Sequence, residues 1–147
     1  MKKNIKFFSD DNCSMITIKE FNHNEFELCF ELDSNTICLW TKKQWELEFK
    51  KSGVKVVAIL KGKKLVGIYV VHTIIDEAHV NYFSIKKFFR RKGYGSYLMK
   101  YLIKQCKELN VKKILLEVSE TNSIAEVFYS KFNFLNVGIR KSYYKDC

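Results

Sequence analysis

The sequence predicts an α/β domain built around one mixed β-sheet. The apolar segments follow the order β-α-α-β-β-β-α-β-α-β along the chain. The three consecutive strands are separated by short turns and form an antiparallel meander, whereas the helix after them separates two strands and creates a parallel β-α-β crossover. With 147 residues, of which 47% are hydrophobic, the chain can bury a sizeable core, which excludes wholesale disorder.

The first predicted elements are one strand and two helices. Residues 15–19 alternate apolar and polar side chains, as a half-buried strand does. Residues 21–32 and 41–51 are predicted helices. The second helix is expected to begin at Thr41, because Thr41 and Gln44 have the spacing of a capping box.

The meander is predicted next along the chain. Its three strands cover residues 54–60, 65–73 and 78–85. The first two are joined across a Lys-Gly-Lys-Lys segment that contains Gly62, which is a hairpin signal.

The last part of the chain contains the crossover and a final strand. The predicted elements are a helix over residues 93–109, a strand over 114–118, a helix over 123–132 and a strand over 135–141. The first of these helices has its apolar side chains along one stripe, which is typical of a helix packed on a sheet. The second is expected to begin with a capping box formed by Ser123 and Glu126.

The composition limits the classes of function. No apolar run approaches the roughly 18 residues that a membrane span needs, and the basic start of the chain lacks the apolar stretch of a signal peptide. The five cysteines include no C-x-x-C pair, which favours free thiols in a reducing, cytoplasmic setting over a structural zinc site. Because proline and linker-like stretches are absent, we expect one domain over residues 15–147, preceded by an extension over 1–14.

The net charge of +10 is unevenly distributed. Residues 1–50 contain 7 basic and 9 acidic side chains, a net charge of −2, whereas residues 51–147 contain 19 and 7, a net charge of +12. Such a basic segment suits an anionic partner, a class that includes nucleic acid, a membrane surface and a phosphorylated cofactor. A generally lysine-rich surface explains the charge equally well, so charge alone does not choose.

A glycine turn before the long helix is the first candidate site. Its sequence is Arg90-Arg91-Lys92-Gly93-Tyr94-Gly95-Ser96. Two glycines one residue apart let backbone N–H groups converge, and the helix amino terminus beyond them favours an anion such as a pyrophosphate. Leu98 stands where a Rossmann fingerprint needs a third glycine, and a P-loop sequence is absent. The alternative is a turn that carries only solvated cations.

A carboxylate and a phenol form the second candidate site. Glu117 lies in the apolar strand over residues 114–118, where burial would raise its pKa and make it a usable general base. Tyr129 lies 12 residues later on the following helix, where a phenol can donate a proton. The alternatives are a solvent-facing Glu117 and a Tyr129 that only packs in the core.

Together these motifs resemble the GCN5-related N-acetyltransferase (GNAT) superfamily. Arg90, Gly93 and Gly95 match its acetyl-CoA motif [QR]-x-x-G-x-[GA] between a strand and a long helix. Within the superfamily the sequence is most similar to the ribosomal-protein alanine N-acetyltransferases of the RimI type, over roughly residues 15–146. The matching segments include Leu39-Trp40-Thr41, Leu116-Glu117-Val118, Phe128-Tyr129 and Arg140-Lys141-Ser142-Tyr143-Tyr144.

The resemblance implies a fold and a set of binding residues. The fold is the GNAT fold, which has a mixed sheet with an antiparallel meander, a β-α-β crossover and four helices. The residues expected to bind acetyl-CoA are Phe83, Ser84, Ile85, Arg90, Arg91, Lys92, Gly93, Tyr94, Gly95, Ser96 and Asn122. Those expected to bind the acceptor are Trp40, Tyr143 and Tyr144.

The resemblance also implies a mechanism and partners. Glu117 matches the general base that acts on the substrate ammonium, and Tyr129 matches the general acid that protonates the leaving thiolate. The amine attacks the thioester directly, so neither a covalent enzyme intermediate nor a metal is needed. The expected acceptor is the N-terminal α-amine of a ribosomal protein. A homodimer is expected, and DNA and membranes are not expected partners.

The sequence departs from the family pattern at points that bear on the acceptor. Tyr82 replaces an asparagine that is common on the third meander strand. The family pattern continues into a seventh strand, whereas this sequence stops at Cys147. We expect residues 1–14, or a partner chain, to cover the sheet edge that this leaves.

Two other functions stay open from the sequence. Fold and cofactor site do not fix the acceptor, so a small amine or an antibiotic is a second class of substrate. Residues 86–92 interleave cations with aromatic side chains, as nucleic-acid-binding surfaces do, so a non-catalytic nucleic-acid- or ribosome-binding module is a third function. An intact pair of Glu117 and Tyr129 argues against the module.

Overall fold

A computed structural model describes residues 4–7, 15–117, 122–138 and 142–146 of the chain. Its strands are β1 Asn4–Phe7, β2 Ile16–Phe21, β3 Val54–Lys61, β4 Lys64–Ile74, β5 Glu77–Ile85, β6 Lys113–Glu117, β7 Leu135–Asn136 and β8 Ser142–Asp146. Its α-helices are α1 Phe26–Ser34, α2 Lys42–Glu48, α3 Tyr94–Glu108 and α4 Ser123–Ser130. Short 3-10 turns at His23–Glu25 and Lys87–Phe89 precede α1 and α3.

The strands form one sheet in the order β1-β2-β3-β4-β5-β6-β8-β7. Only β5 and β6 pair in parallel, and the other described neighbours are antiparallel. The predicted meander is therefore β3-β4-β5, and the predicted crossover runs from β5 through α3 to β6. These observations confirm the mixed α/β fold with four α-helices among the described residues.

Helices cover both faces of the sheet, and each face has its own hydrophobic core. The α3/α4 face buries Leu98, Met99 and Leu102 of α3 and Tyr129 of α4 against the inner strands. The α1/α2 face buries a second cluster that includes Trp45 of α2. A two-sided sheet of this kind explains why the central strand β4 is apolar along most of its length.

The two predicted helix starts have different outcomes. At α2 the capping box is confirmed, since Thr41 Oγ1 accepts the Gln44 N–H at 3.1 Å and Gln44 Oε1 accepts the Thr41 N–H at 2.8 Å. At α4 the predicted box at Ser123 is wrong. The cap is Asn122, whose Oδ1 accepts the Ala125 N–H at 3.0 Å. Asn caps a helix as well as Ser does, and it lies one residue earlier.

The strands at the two sheet edges differ from the prediction. The predicted strand over 135–141 contains β7 at its start, residues 139–141 lie outside the described part of the chain, and β8 was missed. Strand β1 pairs with β2, at the opposite edge from β7 and β8. The expectation that the first residues cover the carboxyl-terminal edge is therefore wrong for residues 4–7. The division at residue 15 stays a prediction.

No helix among the described residues has both the length and the apolar character that crossing a bilayer requires. The longest, α3, has 15 residues. Its outer surface carries lysines, and its inner stripe packs on β3, β4 and β5. Helix α3 therefore serves as the connection of the crossover and places its amino terminus beside the end of β5.

Candidate active site

The sheet opens at its centre, between β5 and β6. The two strands pair from Glu77 opposite Lys113 to Val80 opposite Leu116. Beyond Val80, β5 continues to Ile85, and no further pair joins it to β6 among the described residues. This part of β5 has backbone groups on the side away from β4 that are available to a ligand. It contains Phe83, Ser84 and Ile85, which were predicted to hold the cofactor.

A β-bulge lies at the start of the opening. Val70 of β4 is opposite Tyr82, and Val71 is opposite Val80, so Asn81 is the extra residue on β5. A bulge redirects the side chains that follow it. Tyr82 joins the core of the α1/α2 face, and Phe83 packs against that of the α3/α4 face.

The glycine turn lies beside the unpaired end of β5. Arg91 (φ 60°) and Gly93 (φ 90°) have left-handed backbone conformations, and Gly93 is the N-cap of α3. Left-handed residues on either side of Lys92 give the turn an alternating backbone. Such a backbone directs successive N–H groups toward one point, which favours an anion there. The hydrogen bonds of α3 begin where the Tyr97 N–H donates to the carbonyl of the N-cap Gly93 at 3.1 Å, so the Gly95 and Ser96 amides precede the ladder.

The cations of the turn have distinct positions. Arg90 Nε donates to the Ile85 carbonyl at 2.9 Å and so ties the turn to the end of β5. Lys92 Nζ lies 4.5 Å from the centroid of the Phe88 ring. Arg90, Arg91 and Lys92 are all exposed, so their charges are available to a phosphate. The predicted phosphate site is thus assembled locally, from the turn and the strand before it.

Gly95 brings the turn next to α4. A Cβ atom built at Gly95 would lie 3.4 Å from the Phe128 ring and 3.6 Å from the Ile85 side chain. Phe128 in turn contacts Phe83, with ring centroids 5.7 Å apart. The start of α3, the end of β5 and the middle of α4 therefore surround one side of the opening.

Tyr129 is buried at this same place, with 8% of its surface exposed. Its ring lies 6.3 Å from Phe83, 5.7 Å from Phe134 and 6.3 Å from Tyr143, measured between centroids. Burial raises the pKa of the Tyr129 phenol above its ordinary value. The phenol therefore keeps its proton at neutral pH, as a general acid must.

Glu117 is exposed, and the burial expected for it is wrong. It is the last residue of β6 and lies opposite Ser142 of β8. Because successive side chains alternate along a strand, Glu117 lies on the opposite face from the buried Leu116. Leu116 belongs to the core of the α3/α4 face, so Glu117 lies on the α1/α2 face. Tyr129 and Glu117 are thus on opposite faces of the sheet.

The predicted acceptor residues are not brought together. Trp40 lies on the α1/α2 face, where its ring contacts Trp45 and Tyr82 at centroid distances of 4.7 and 5.6 Å. Tyr143 is buried in the core of the other face, next to Tyr129. Tyr144 lies in β8, and its side chain is outside what the structure describes. The roles of Tyr143 and Tyr144 toward an acceptor stay predictions.

A groove of about 420 Å³ opens beside Trp40. Its lining residues are Trp40, Gln44, Leu47, Glu48, Lys51 and Asn81. The Glu48 side chain is 7% exposed, and its Oε2 accepts the Lys51 ammonium at 2.8 Å. The bulge residue Asn81, at the start of the opening between β5 and β6, is one of the residues that line this groove.

Sequence reasoning missed a buried carboxylate on this face. Asp33 is 0% exposed and accepts hydrogen bonds from the α1–α2 connection, from α2 and from β5. A signal was present, because Asp33 lies one position after Leu32 and four after Cys29 on the buried stripe of α1. An acidic residue on such a stripe requires partners.

The predicted cofactor contact Asn122 has a second task in the fold. Its side-chain oxygen caps α4, and the side chain is exposed at the start of that helix.

Among the described residues, no group of three or more His, Cys, Asp or Glu side chains could hold a metal ion.

Comparison with known proteins identifies the family. A model of the acetyltransferase (GNAT) family matches residues 19–134, which include the opening, the glycine turn and Tyr129. The chain belongs to this family. It is therefore an enzyme that transfers an acetyl group, which argues against the non-catalytic nucleic-acid-binding module.

Several relatives have a more specific function in their names. A putative ribosomal protein bS18-alanine N-acetyltransferase of Bacillus subtilis (strain 168) is 26% identical over 131 residues, 88% of this chain and 87% of that protein. The ribosomal protein bS18-alanine N-acetyltransferase of Haemophilus influenzae is 36% identical over 86 residues, 58% of each chain. This GNAT chain therefore resembles the first of them over most of its length and the second over somewhat more than half.

Solved structures share the fold. The ribosomal-protein-S18-alanine N-acetyltransferase of Escherichia coli superposes with a TM-score of 0.80 at 17% identity, over 88% of this chain and 91% of that one. A PaiA N-acetyltransferase of Thermoplasma acidophilum in complex with coenzyme A superposes with a TM-score of 0.77 at 16% identity, over 90% and 99%. These superpositions support the GNAT fold of this acetyltransferase.

Proposed function

We propose that this acetyltransferase moves the acetyl group of acetyl-CoA to the N-terminal α-amine of a protein, with a ribosomal protein as the natural acceptor. The observation that carries the proposal is the opening between β5 and β6. An anion-binding turn and a buried phenol adjoin it on the α3/α4 face, and a carboxylate and a groove adjoin it on the α1/α2 face. The relatives named for alanine N-acetylation of a ribosomal protein support the choice of acceptor.

The residues beside the opening suit coenzyme A. The amides of Gly95 and Ser96 and the charges of Arg91 and Lys92 would hold its pyrophosphate. The backbone edge of residues 81 to 85 that faces away from β4, which no described strand pairs, would hydrogen-bond the amide-containing arm in the manner of a neighbouring strand. When bound, acetyl-CoA supplies an activated acetyl thioester. Asn122 keeps one side-chain nitrogen for the cofactor while its oxygen caps α4.

Two side chains divide the proton transfers. Glu117 accepts a proton from the acceptor ammonium, directly or through a water, which leaves the neutral amine that attacks the thioester carbonyl. Tyr129 gives its proton to the sulfur as the carbon–sulfur bond breaks. The two groups lie on opposite faces of the sheet, which matches an amine that arrives from the α1/α2 face and a thiol that forms on the α3/α4 face.

The groove beside Trp40 supports a cationic acceptor. Its buried Glu48 carboxylate already holds an alkylammonium, that of Lys51. The first 50 residues, which supply most of this face, have a net charge of −2, in contrast to +12 over the rest of the chain. A basic amino-terminal segment would therefore be attracted to this side of the opening.

The first experiment separates cofactor binding from acceptor choice. At about 100 times its Kd, acetyl-CoA stabilises a folded protein by about 2.7 kcal/mol, which raises the Tm of a domain of this size by roughly 5–10 °C. The absence of a shift would contradict the proposed cofactor site. A thiol-release assay then compares peptides with different first residues against spermine and an aminoglycoside.

The second candidate acceptor in this set of substrates is a polyamine. A probable spermine N(1)-acetyltransferase of Bacillus subtilis subsp. natto is 29% identical over 141 residues, 91% of this chain. Highest kcat/KM with a peptide that begins with alanine supports the proposal. Highest kcat/KM with spermine would replace the protein acceptor by a polyamine, while the proposed cofactor site and mechanism would stand.

Glu117→Gln tests the proposed role of Glu117 as the general base. We expect kcat to fall by about 10²-fold or more with the Kd for coenzyme A unchanged, because only proton removal is lost. Glu77→Gln is the matched control, since Glu77 is a partly exposed carboxylate at the other end of the β5–β6 pairing. Full activity of Glu117→Gln would remove Glu117 from the mechanism.

A further inference from the structure

Asp33 is the most completely enclosed charged side chain among the described residues, with 0% of its surface exposed. No described Lys, Arg or His forms a salt bridge with it. Its two oxygens instead accept four hydrogen bonds of 2.9 to 3.0 Å. The donors are the Leu39 N–H and Tyr82 hydroxyl on Oδ1, and the Trp40 N–H and Trp45 Nε1–H on Oδ2.

The four donors come from three separate parts of the fold. Leu39 and Trp40 belong to the connection between α1 and α2, Trp45 belongs to α2, and Tyr82 belongs to β5. Tyr82 is 49 residues from Asp33 in the sequence. Burial raises the pKa of Tyr82, so its hydroxyl keeps the proton that it donates. One carboxylate therefore fixes a connection, a helix and the strand that borders the opening.

The connection between α1 and α2 also bonds to the end of α1, since the Thr36 N–H donates to the Asp33 carbonyl at 3.0 Å and Thr36 Oγ1 donates to the Leu32 carbonyl at 2.8 Å. It turns through Cys38, whose backbone is left-handed (φ 58°) and whose N–H donates to the Asp33 carbonyl at 2.7 Å. The Trp40 ring then packs on Trp45 and Tyr82, which are themselves donors to Asp33. Both the backbone and the ring of Trp40 thus depend on the same carboxylate.

Trp40 and Asn81 both line the groove, and Asn81 directly precedes Tyr82. Asp33 accepts the Trp40 N–H and the Tyr82 hydroxyl, so it fixes the position of Trp40 relative to the part of β5 that contributes Asn81. We propose that Asp33 is a positioning residue for the amine acceptor, which shapes the groove beside Trp40 without touching the acceptor itself. The proposal rests on the proposed function, because it takes this groove to be the acceptor site.

The chemistry of the pocket predicts what a change at Asp33 does. Asparagine has the same shape, but it replaces one acceptor oxygen by an NH₂ group. In either orientation of the amide, that NH₂ meets a backbone N–H, of Leu39 or of Trp40. Two donors cannot pair, so the connection must move. Among these groups only Tyr82 belongs to the strand proposed to hold coenzyme A, and its hydroxyl lies on the α1/α2 face, so we expect the backbone of β5 and the glycine turn to keep their positions.

The test compares Asp33→Asn with Asp76→Asn. Asp76 lies in the turn between β4 and β5 and is 46% exposed, so it controls for the loss of one carboxylate. We expect Asp33→Asn to raise the acceptor KM by about tenfold, with kcat and the Kd for coenzyme A within about twofold, which corresponds to a loss of acceptor binding only. A lower Tm with an unchanged acceptor KM would reduce Asp33 to a structural role and overturn the proposal.

A second variant keeps the test valid if Asp33→Asn does not fold. Tyr82→Phe removes one of the four donors and keeps the ring that packs on Trp40. We expect a smaller rise in the acceptor KM, about threefold, with the same unchanged cofactor Kd. An acceptor KM of Tyr82→Phe equal to that of the wild type would overturn the proposal.

Tryptophan fluorescence separates this proposal from the proposed function. Trp40 and Trp45 are the two tryptophans of the chain, and both donate to Asp33. If the wild type acetylates no amine, the proposed function fails, yet the emission of Asp33→Asn still reports the connection. We expect a shift to longer wavelength and stronger quenching by acrylamide than in Asp76→Asn. Unchanged emission would mean that Asp33 does not position Trp40.

Discussion

The two sides of the opening are built by different means. On the α3/α4 face the opening is bordered mainly by main-chain groups. These are the left-handed backbone of Gly93, the first amides of α3 and the end of β5 that no described residue of β6 pairs. On the α1/α2 face it is bordered mainly by side chains, namely the ring of Trp40, the carboxylate of Glu48 and the hydrogen-bonded Asp33 behind them. The contrast suits two substrates of which one, coenzyme A, is the same for the whole GNAT family, whereas the acceptor varies.

The charges of the two sides are also opposite in sign. Arg90, Arg91 and Lys92 surround the glycine turn, and the α1/α2 face takes most of its residues from the acidic first third of the chain. An anionic cofactor and a cationic acceptor would each meet a side of the opposite charge. Variants of Tyr129, Gly93 and Lys92 test this division.

Tyr129→Phe tests the chemistry on the α3/α4 face. The change removes only the hydroxyl and keeps the ring contacts with Phe83, Phe128 and Phe134. We expect kcat to fall by about 10²- to 10⁴-fold, because the leaving thiolate loses its proton donor. Stopped-flow or steady-state thiol release measures this, with coenzyme A binding as the control. A variant with wild-type kcat would leave Tyr129 as a packing residue only.

The raised pKa of Tyr129 adds a pH dependence to this prediction. The proton-donating form persists above the pH at which an ordinary tyrosine ionises, near 10. The wild-type enzyme should therefore show no loss of kcat due to this group between pH 7 and 9. A basic limb in that range that disappears in Tyr129→Phe would contradict the assignment.

Gly93→Ala tests whether the cofactor side depends on backbone geometry. A left-handed alanine costs roughly 1–2 kcal/mol, and relief of that strain would turn the first amides of α3 away from the phosphates. We expect about tenfold weaker binding of coenzyme A by calorimetry. The matched control is Gly62→Ala, since Gly62 is also left-handed (φ 60°) but lies in the β3–β4 turn with open space around it. Equal loss of binding in both variants would point to global destabilisation.

Lys92→Gln tests the contribution of charge on the same side. Lys92 is exposed, and its ammonium lies against the Phe88 ring, so salt screens much of its attraction for phosphate. We expect coenzyme A to bind about two- to fivefold more weakly at low salt, and the difference to shrink at high salt. Lys63→Gln, in the β3–β4 turn, is the control. A loss of coenzyme A affinity that persists at high salt would indicate a direct contact between Lys92 and the phosphate instead of a long-range electrostatic attraction.

Local features of the sequence were enough to place the meander, α3 and the glycine turn. Alternation and stripe patterns placed the meander and α3 within one or two residues, and the two glycines marked the turn because a left-handed residue followed by a helix start is decided by neighbours in the chain. Thr41 and Gln44 likewise fixed the start of α2. The short strands β1, at one edge of the sheet, and β8, between β6 and β7, were missed, because so few residues carry a weak pattern and their pairing partners lie elsewhere in the sequence.

The sequence by itself determined the fold class, the family and the backbone of the glycine turn at the start of α3. Only the tertiary structure decided that Glu117 faces solvent, that Asn81 is the extra residue of a β-bulge and that Asp33 is buried with four donors. The physical reason is range. Turns, caps and amphipathic stripes depend on residues a few positions apart, whereas the exposure of Glu117 depends on where a strand ends in the sheet, and the bond from Tyr82 to Asp33 exists only once residues 49 positions apart pack together.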